Sequence, residues 1–167
     1  MRRRFGKVIT ALADRDESIY VLVGDIGYRV FDEFRSCHPN RFINMGVCEQ
    51  SMISVSAGMA LEGLKPWVYT ITPFLIERPF EQIKLDIDQQ NVNVKLVGYA
   101  DYPNQGPTHS ELDGKKLMGL FSNIRSFFPK NGDETEEMID KAYKIEGPSF
   151  VSLKSDPMLG SSITQTK

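Results

Sequence analysis

Cysteine is nearly absent. The 167 residues hold two, Cys37 and Cys48, with no metal-type spacing and too few for a disulfide framework, so both read as reduced thiols of a cytoplasmic protein. An excess of charge of one sign is also lacking. The formal net charge of −2 gives no electrostatic reason to expect nucleic acid or a membrane surface as partner, and the run Arg2-Arg3-Arg4 is too short to change that. No window approaches the roughly twenty consecutive apolar residues of a membrane span, and the first residues lack the apolar core of a secretion signal. Internal repeats and low-complexity tracts are missing too. What remains is an ordinary globular composition, 41% hydrophobic, suited to one domain with a proper core.

Apolar spacing then gives the class. Phe5, Val8, Ile9, Leu12 and Ala13 recur at helical intervals. Ile19-Tyr-Val-Leu-Val23 is a continuous apolar run closed by Gly24-Asp25, the signature of a strand buried on both faces. Further strands are expected at Phe42 to Met45, Pro66 to Ile71, Val92 to Gly98, Ile124 to Phe128 and Pro148 to Leu153. Helices are expected at Val30 to Ser36, after Glu49, over Glu77 to Asp88, over Leu112 to Leu120 and over Glu134 to Tyr143. Strand and helix alternate throughout, which predicts an α/β fold: a doubly wound, mostly parallel sheet with helices on both faces. The domain is expected over residues 1–155, with a mobile tail over 156–167.

The chain is organised around Arg41-Phe-Ile-Asn-Met-Gly-Val-Cys-Glu-Gln-Ser-Met52. A short apolar strand breaks at Gly46, and a helix of small residues opens with Glu49 in its first turn. Such strand-to-helix corners, at the carboxyl ends of strands, are where open α/β sheets bind ligands. A carboxylate there is favoured by the helix's unpaired N–H groups and positive end. One that a ligand strips of water holds protons more tightly, as a proton-handling acid must. From the corner alone the ordinary reading is dipole chemistry. The helix beyond offers Met52, Val55, Met59 and Ala60 on one side, and its Ser, Ala and Gly residues suit close packing. A long polar loop, Tyr99 to His109, holds one of only two histidines, and long loops in compact α/β domains are more often functional than decorative. The loops after Val23, Met45, Ile71 and Gly98 share one sheet edge in this layout, bringing Asp25, Glu49, Phe74 and His109 together.

Gly46-Val-Cys-Glu-Gln-Ser-Met52, with Ser56-Ala-Gly-Met-Ala60 and Gly63, resembles the pyrimidine-binding domain of transketolase and its relatives. The order of landmarks fits as well: Arg2 ahead of Phe5-Gly6, Gly24-Asp25-Ile26 at a strand end, Arg41-Phe42 before the glutamate, Phe74-Leu75 after the third strand, and Gly106-Pro-Thr-His109. The resemblance spans roughly residues 2 to 155 and implies thiamine diphosphate chemistry. The glutamate that Glu49 matches bonds a ring nitrogen of the cofactor's aminopyrimidine, which favours the imino form that takes the thiazolium C2 proton, and the cofactor serves as electron sink. Phe74 matches an aromatic packed on the pyrimidine, and His109 a histidine that reaches substrate. Asp25 and Ile26 match positions beside the thiazolium and substrate, and Arg2 one that contacts sugar phosphates in some members.

Departures bear on specificity. Tyr99 to Gln105 stands where many transketolases carry a second histidine and an acid, with Gln105 at the acidic position. Ile71 stands at a further aromatic position beside the cofactor. Lys154 stands where a phosphate-binding arginine is common, and a lysine attracts phosphate without bidentate geometry. Donor and acceptor preference are therefore expected to differ from those of pentose phosphate transketolase. No Gly-Asp-Gly segment followed by Asn-Asn is present, so the diphosphate and its magnesium or calcium ion are expected on a separate diphosphate-binding subunit. No metal ligands are assigned to this chain. No third domain is expected after residue 155. The expectation is the carboxy-terminal-type subunit of a split transketolase in an α2β2 assembly, acting on sugars or sugar phosphates. Other thiamine diphosphate enzymes share the domain: decarboxylases, deoxyxylulose-phosphate-synthase-like enzymes and 2-oxoacid dehydrogenase components. A non-catalytic binding subunit would keep the fold alone.

Overall fold

The computed structural model describes residues 1–100, 106–110 and 112–155. Gln105 and the tail over 156–167 lie outside them. In chain order the elements are α1 (Arg2–Ala13), β1 (Ile19–Val23), α2 (Asp32–Cys37), β2 (Phe42–Asn44), α3 (Glu49–Leu61), β3 (Lys65–Ile71), α4 (Thr72–Ile76) and α5 (Phe80–Gln82), which runs into a π-helical segment, Ile83–Asp88. Then come β4 (Lys95–Tyr99), α6 (Gly114–Met118), β5 (Arg125–Phe127), α7 (Gly132–Tyr143) and β6 (Ser149–Leu153). Among the described residues no helix is long and apolar enough to cross a membrane.

The described strands form one six-stranded sheet in the order β2-β1-β3-β4-β6-β5, and every neighbouring pair is parallel. Side chains along the strands feed two cores alternately, because successive residues point to opposite faces. Leu22, Val68, Leu96 and Phe150 join Met52, Ile53 and Ala57 of α3, with Leu75, Ile76, Ile83 and Ile87, on one face. Val21, Val23, Trp67, Tyr69, Val97 and Val151 join Phe5, Ile9 and Leu12 of α1, with Phe34 and Ile139, on the other. Both faces are buried, which is why the strands read as unbroken apolar runs.

The chain leaves β1 for the β2 edge, then returns beyond β1 to build β3, β4 and β6 on the other side. The order reverses between β1 and β3, and the crevice outside the carboxyl ends of strands at such a reversal is the natural ligand site of an open α/β sheet. The crossover that spans the reversal is α3, and it begins at Glu49.

Several boundaries differ from expectation for local reasons. Thr72-Pro-Phe-Leu75, expected as an exit loop, is the body of α4: Pro73 sits in its first turn, where a missing N–H costs nothing. The long helix expected over Glu77 to Asp88 is interrupted, since Pro79 supplies no amide hydrogen and instead precedes α5 as its cap residue. Strand β4 begins at Lys95, not Val92. In α3 the inward residues are Met52, Ile53, Ser56 and Ala57, whereas Val55, expected on the packing side, is 43% exposed. Helix α7 starts two residues early because the Asn131 side chain accepts from the Glu134 amide at 2.9 Å.

Gly98 fixes the seat of α4. A Cβ there would stand 2.5 Å from Thr72 Oγ1 and 3.2 Å from the Thr72 Cα, so β4 and the start of α4 meet at a distance only glycine permits. Gly98→Ala is expected to cost about 1–3 kcal/mol through overpacking. It should also push α4 outward, seen as a lower melting temperature and as altered protection of α4 amides in hydrogen exchange.

At the opposite end of the sheet, Lys95 is fully buried, and its Nζ donates to the carbonyls of Ile145 at 2.8 Å and Gly147 at 2.7 Å. Burial pushes its pKa down from 10.5 to about 7, with Glu146 opposing. Between those values the folded chain holds fewer protons at this site than the unfolded chain, so this group makes stability rise with pH across the window. Chemical denaturation from pH 7 to 10 should show that rise, and Lys95→Met should flatten it.

Candidate active site

The strand-to-helix corner is built by Asn44, the last residue of β2. Its Oδ1 accepts from the backbone amides of Asp25 at 3.1 Å and Gly46 at 3.0 Å, and its Nδ2 donates to Asp25 Oδ1 at 3.1 Å. One amide side chain thus ties the loop after β1 to the loop after β2. The backbone needs tying: Asp25 has φ 54° and Gly46 φ 68°, both in the left-handed region, which a non-glycine residue enters only when its surroundings hold it there. Asn44 was not singled out in the sequence. The signal was present as an Asx residue two positions before a glycine, the usual mark of an Asx turn.

With the corner held, Glu49 opens α3 and is only 5% exposed. It is neither sealed in the core nor out in solvent. Its Oε1 accepts from Arg78 Nη1 at 2.9 Å, and the Arg78 side chain above it is 37% exposed. The same guanidinium lies over the ring of Phe74, its carbon 3.5 Å from the ring centroid. His109 meets the same ring edge-on, with centroids 4.9 Å apart. His109 is carried there by a 3-10 turn, Pro107–His109, entered through Gly106 at φ 89°, and its Nδ1 lies 3.1 Å from Thr108 Oγ1.

Glu49, Phe74 and His109 are therefore drawn together from three separate stretches of chain, with Arg78 as the link the sequence reading missed. Spacing alone could have found it, because Arg78 falls four residues after Phe74, about one helical turn on. Asp25 is exposed and Ile26 half-buried on the loop after β1, which Asn44 ties to the Glu49 corner; Ile26 packs against the α1 side of the sheet. Ile71 closes β3 immediately before α4 and is 3% exposed.

Arg2 and Lys154 sit further along the same sheet edge. The Arg2 guanidinium lies 4.1 Å from the ring centroid of Tyr99 at the end of β4, and the Tyr99 hydroxyl is 2.9 Å from Ser155 Oγ. Lys154 follows β6, with its backbone amide 3.2 Å from the Met1 sulfur. These two cations form a basic flank across β4 and β6 from Glu49. Gln105, the remaining candidate, belongs to the segment outside the described residues. Among the described residues no group of three or more His, Cys, Asp or Glu side chains is placed to hold a metal ion.

Comparison with known proteins gives the family. Residues 1–156 match the family described as transketolase, pyrimidine binding domain. The chain is 38% identical over 118 residues to one of the subunits of apulose-4-phosphate transketolase from Actinobacillus succinogenes, a match covering 69% of this chain and 38% of that protein. It is 31% identical over 163 residues to 1-deoxy-D-xylulose-5-phosphate synthase of Carboxydothermus hydrogenoformans, covering 96% of this chain and 26% of that one. Among solved structures it superposes on a split gene transketolase described as an inactive beta4 tetramer with a TM-score of 0.82 and 29% identity, covering 93% of this chain and 50% of that chain. Transketolase from Campylobacter jejuni, at 21% identity, shares the fold with a TM-score of 0.82. The chain spans less than half the length of each of these curated relatives. With the match over residues 1–156, the chain belongs to the transketolase family through its pyrimidine-binding domain.

Proposed function

We propose that this chain is the pyrimidine-side component of a two-component thiamine diphosphate enzyme that transfers a two-carbon ketol unit between sugars or sugar phosphates. The observation that carries the reading is Glu49: a carboxylate 5% exposed, opening the crossover helix at the reversal of strand order, with an aromatic ring beside it. The site also fits a flat, hydrogen-bond-donating ring. A planar guanidinium already lies over Phe74 while donating to Glu49, so the space between ring and acid suits a thin π-system with a donor at its edge.

In this reading Glu49 accepts a hydrogen bond from a ring nitrogen of the aminopyrimidine, and Phe74 supports the ring's face. Glu49 would accept that bond as a carboxylate at the positive end of α3, which favours its anionic form, and so would keep the proton on the ring nitrogen. His109, edge-on to Phe74, faces the substrate side and exchanges a proton with a substrate hydroxyl. Asp25, held by Asn44, and Ile26 border the reacting centre, with Ile71 behind the ring. Arg2 and Lys154, with Gln105, receive the polar or phosphorylated end of the sugar. When bound, thiamine diphosphate supplies the acidic ring carbon and the electron sink needed to break a bond beside a carbonyl.

The diphosphate and its magnesium or calcium ion would be held by a diphosphate-binding subunit in an α2β2 assembly. A relative that is itself named as one subunit of a transketolase supports a separate partner. The outward face of α3, with Val55 at 43% and Leu61 at 63% exposure, and Val47 at 64% just before it, offers apolar surface for that seam. A second reading, condensation of the deoxyxylulose-phosphate-synthase type, is favoured by one observation: proteins of that name match 96% and 97% of the chain.

Three measurements test this. Glu49→Gln in the chain mixed with its diphosphate-binding partner should lose about 2 kcal/mol or more of transition-state stabilisation, roughly a thirtyfold fall in kcat/KM or larger, with the fold unchanged by circular dichroism. Near-normal turnover would remove Glu49 from the chemistry. A panel of ketose donors against pyruvate-type acids separates the two readings, and only ketose turnover agrees with ketol transfer. Asn44→Ala should cost only about 1 kcal/mol of stability, since its bonds are exposed. It should lower kcat more than it raises KM, because Asp25 and the Gly46 turn lose their tie.

A further inference from the structure

Arg78 makes two contacts at once. Its guanidinium carbon lies over the Phe74 ring, 3.5 Å from the centroid, and Nη1 donates to Glu49 Oε1 at 2.9 Å. Resting on the reading that Glu49 and Phe74 receive an aminopyrimidine, we propose that Arg78 is a built-in placeholder: its side chain occupies the seat of the ring and must swing out before cofactor binds.

The physical case starts with the acid. A carboxylate that is 5% exposed and has no partner is expensive to keep charged, and the helix terminus offsets only part of that. Arg78 supplies the missing counter-charge. Lysine would bring charge but no flat face, whereas a guanidinium is planar, weakly hydrated and suited to stacking while it donates in-plane. Those are also the properties of a protonated or amino-bearing pyrimidine, so the two groups compete for one acceptor and one ring face.

Arg78 is placed to leave. It lies beyond the end of α4, on the turn over residues 77–79, and its side chain is 37% exposed. Rotation about its side-chain bonds releases Glu49 without moving α4 or Phe74. Glu49 itself cannot follow, being the first residue of a helix whose next inward residues, Met52 and Ile53, are fully buried. The stationary acid and aromatic thus form the seat, and the arginine forms its removable cover. The consequence is a linkage: the observed affinity for cofactor is the intrinsic affinity reduced by the fraction of chains in which the arginine has vacated.

Arg78→Met keeps a long apolar arm on Phe74 and removes the donor and the plane. In thermal melts of this chain without cofactor it should lower the melting temperature by several degrees. Adding Glu49→Gln to that variant should restore more than half of the loss, because the unpaired charge has gone. Additive effects of the two substitutions would overturn the pairing. By isothermal titration with thiamine diphosphate and magnesium, the two-subunit mixture carrying Arg78→Met should bind about tenfold more tightly than the unsubstituted mixture. Equal or weaker binding would overturn the placeholder and make Arg78 a bystander or a cofactor contact. Binding by neither mixture would instead defeat the cofactor reading, and the melts would then describe only a structural ion pair. If Arg78→Met fails to fold, Arg78→Lys carries the same test: near-normal melting with tighter cofactor binding supports the proposal, and unchanged binding refutes it.

Discussion

A negative charge held almost out of water at the start of a helix constrains everything around it. Glu49 is 5% exposed, and three features make that tolerable: the free amide hydrogens of the first turn of α3, the guanidinium of Arg78, and a corner that keeps the carboxylate from retreating into solvent. Take away the corner and the acid hydrates. Take away the helix direction and its ionised form loses support. The burial is therefore a property of the whole crossover, fixed by where α3 must start so that Met52, Ile53, Ser56 and Ala57 reach the sheet.

That starting point follows from the strand order. Because β2 is an edge strand and β3 lies beyond β1, α3 has to cross the reversal, and its amino end falls over the crevice between the loops of β1 and β3. The loop of β1 then brings Asp25, and α4, pressed onto β4 by the absence of a side chain at Gly98, brings Phe74. The neighbourhood of acid, aromatic and loop histidine is assembled by a topology in which no two of these residues are close in sequence.

How much of this the sequence disclosed depends on the range of the signal. Continuous apolar runs such as Ile19–Val23 identified strands buried on both faces, and the glutamate corner with Gly106-Pro-Thr-His109 identified the family and the residues that converge. Elements decided by local backbone chemistry were partly readable: Pro79 interrupted the helix expected over Glu77 to Asp88, and Pro73 began one where a loop was expected. Strand order was not readable, because periodicity reports which faces are buried and says nothing about neighbours. Val55 was misplaced for a related reason, since in a helix this rich in small residues apolarity scarcely varies around the axis and cannot say which side meets the sheet. Arg78 escaped because a charge within a segment expected as helix looks like solvated surface until its partner is seen to be buried.

The two basic positions, Arg2 and Lys154, mark the other half of the problem. They lie across β4 and β6 from the acid, so the charge along this edge changes sign from the start of α3 to the ends of β4 and β6. Arg2 is already spread on the face of Tyr99, which lowers the cost of desolvating it and fixes its plane. Lys154 keeps a mobile, strongly hydrated charge. One cation rests on an aromatic ring and the other is exposed, so the flank presents two unlike positive surfaces. The electrostatics of the edge therefore differ from end to end, with a carboxylate at the start of α3 and two cations across β4 and β6.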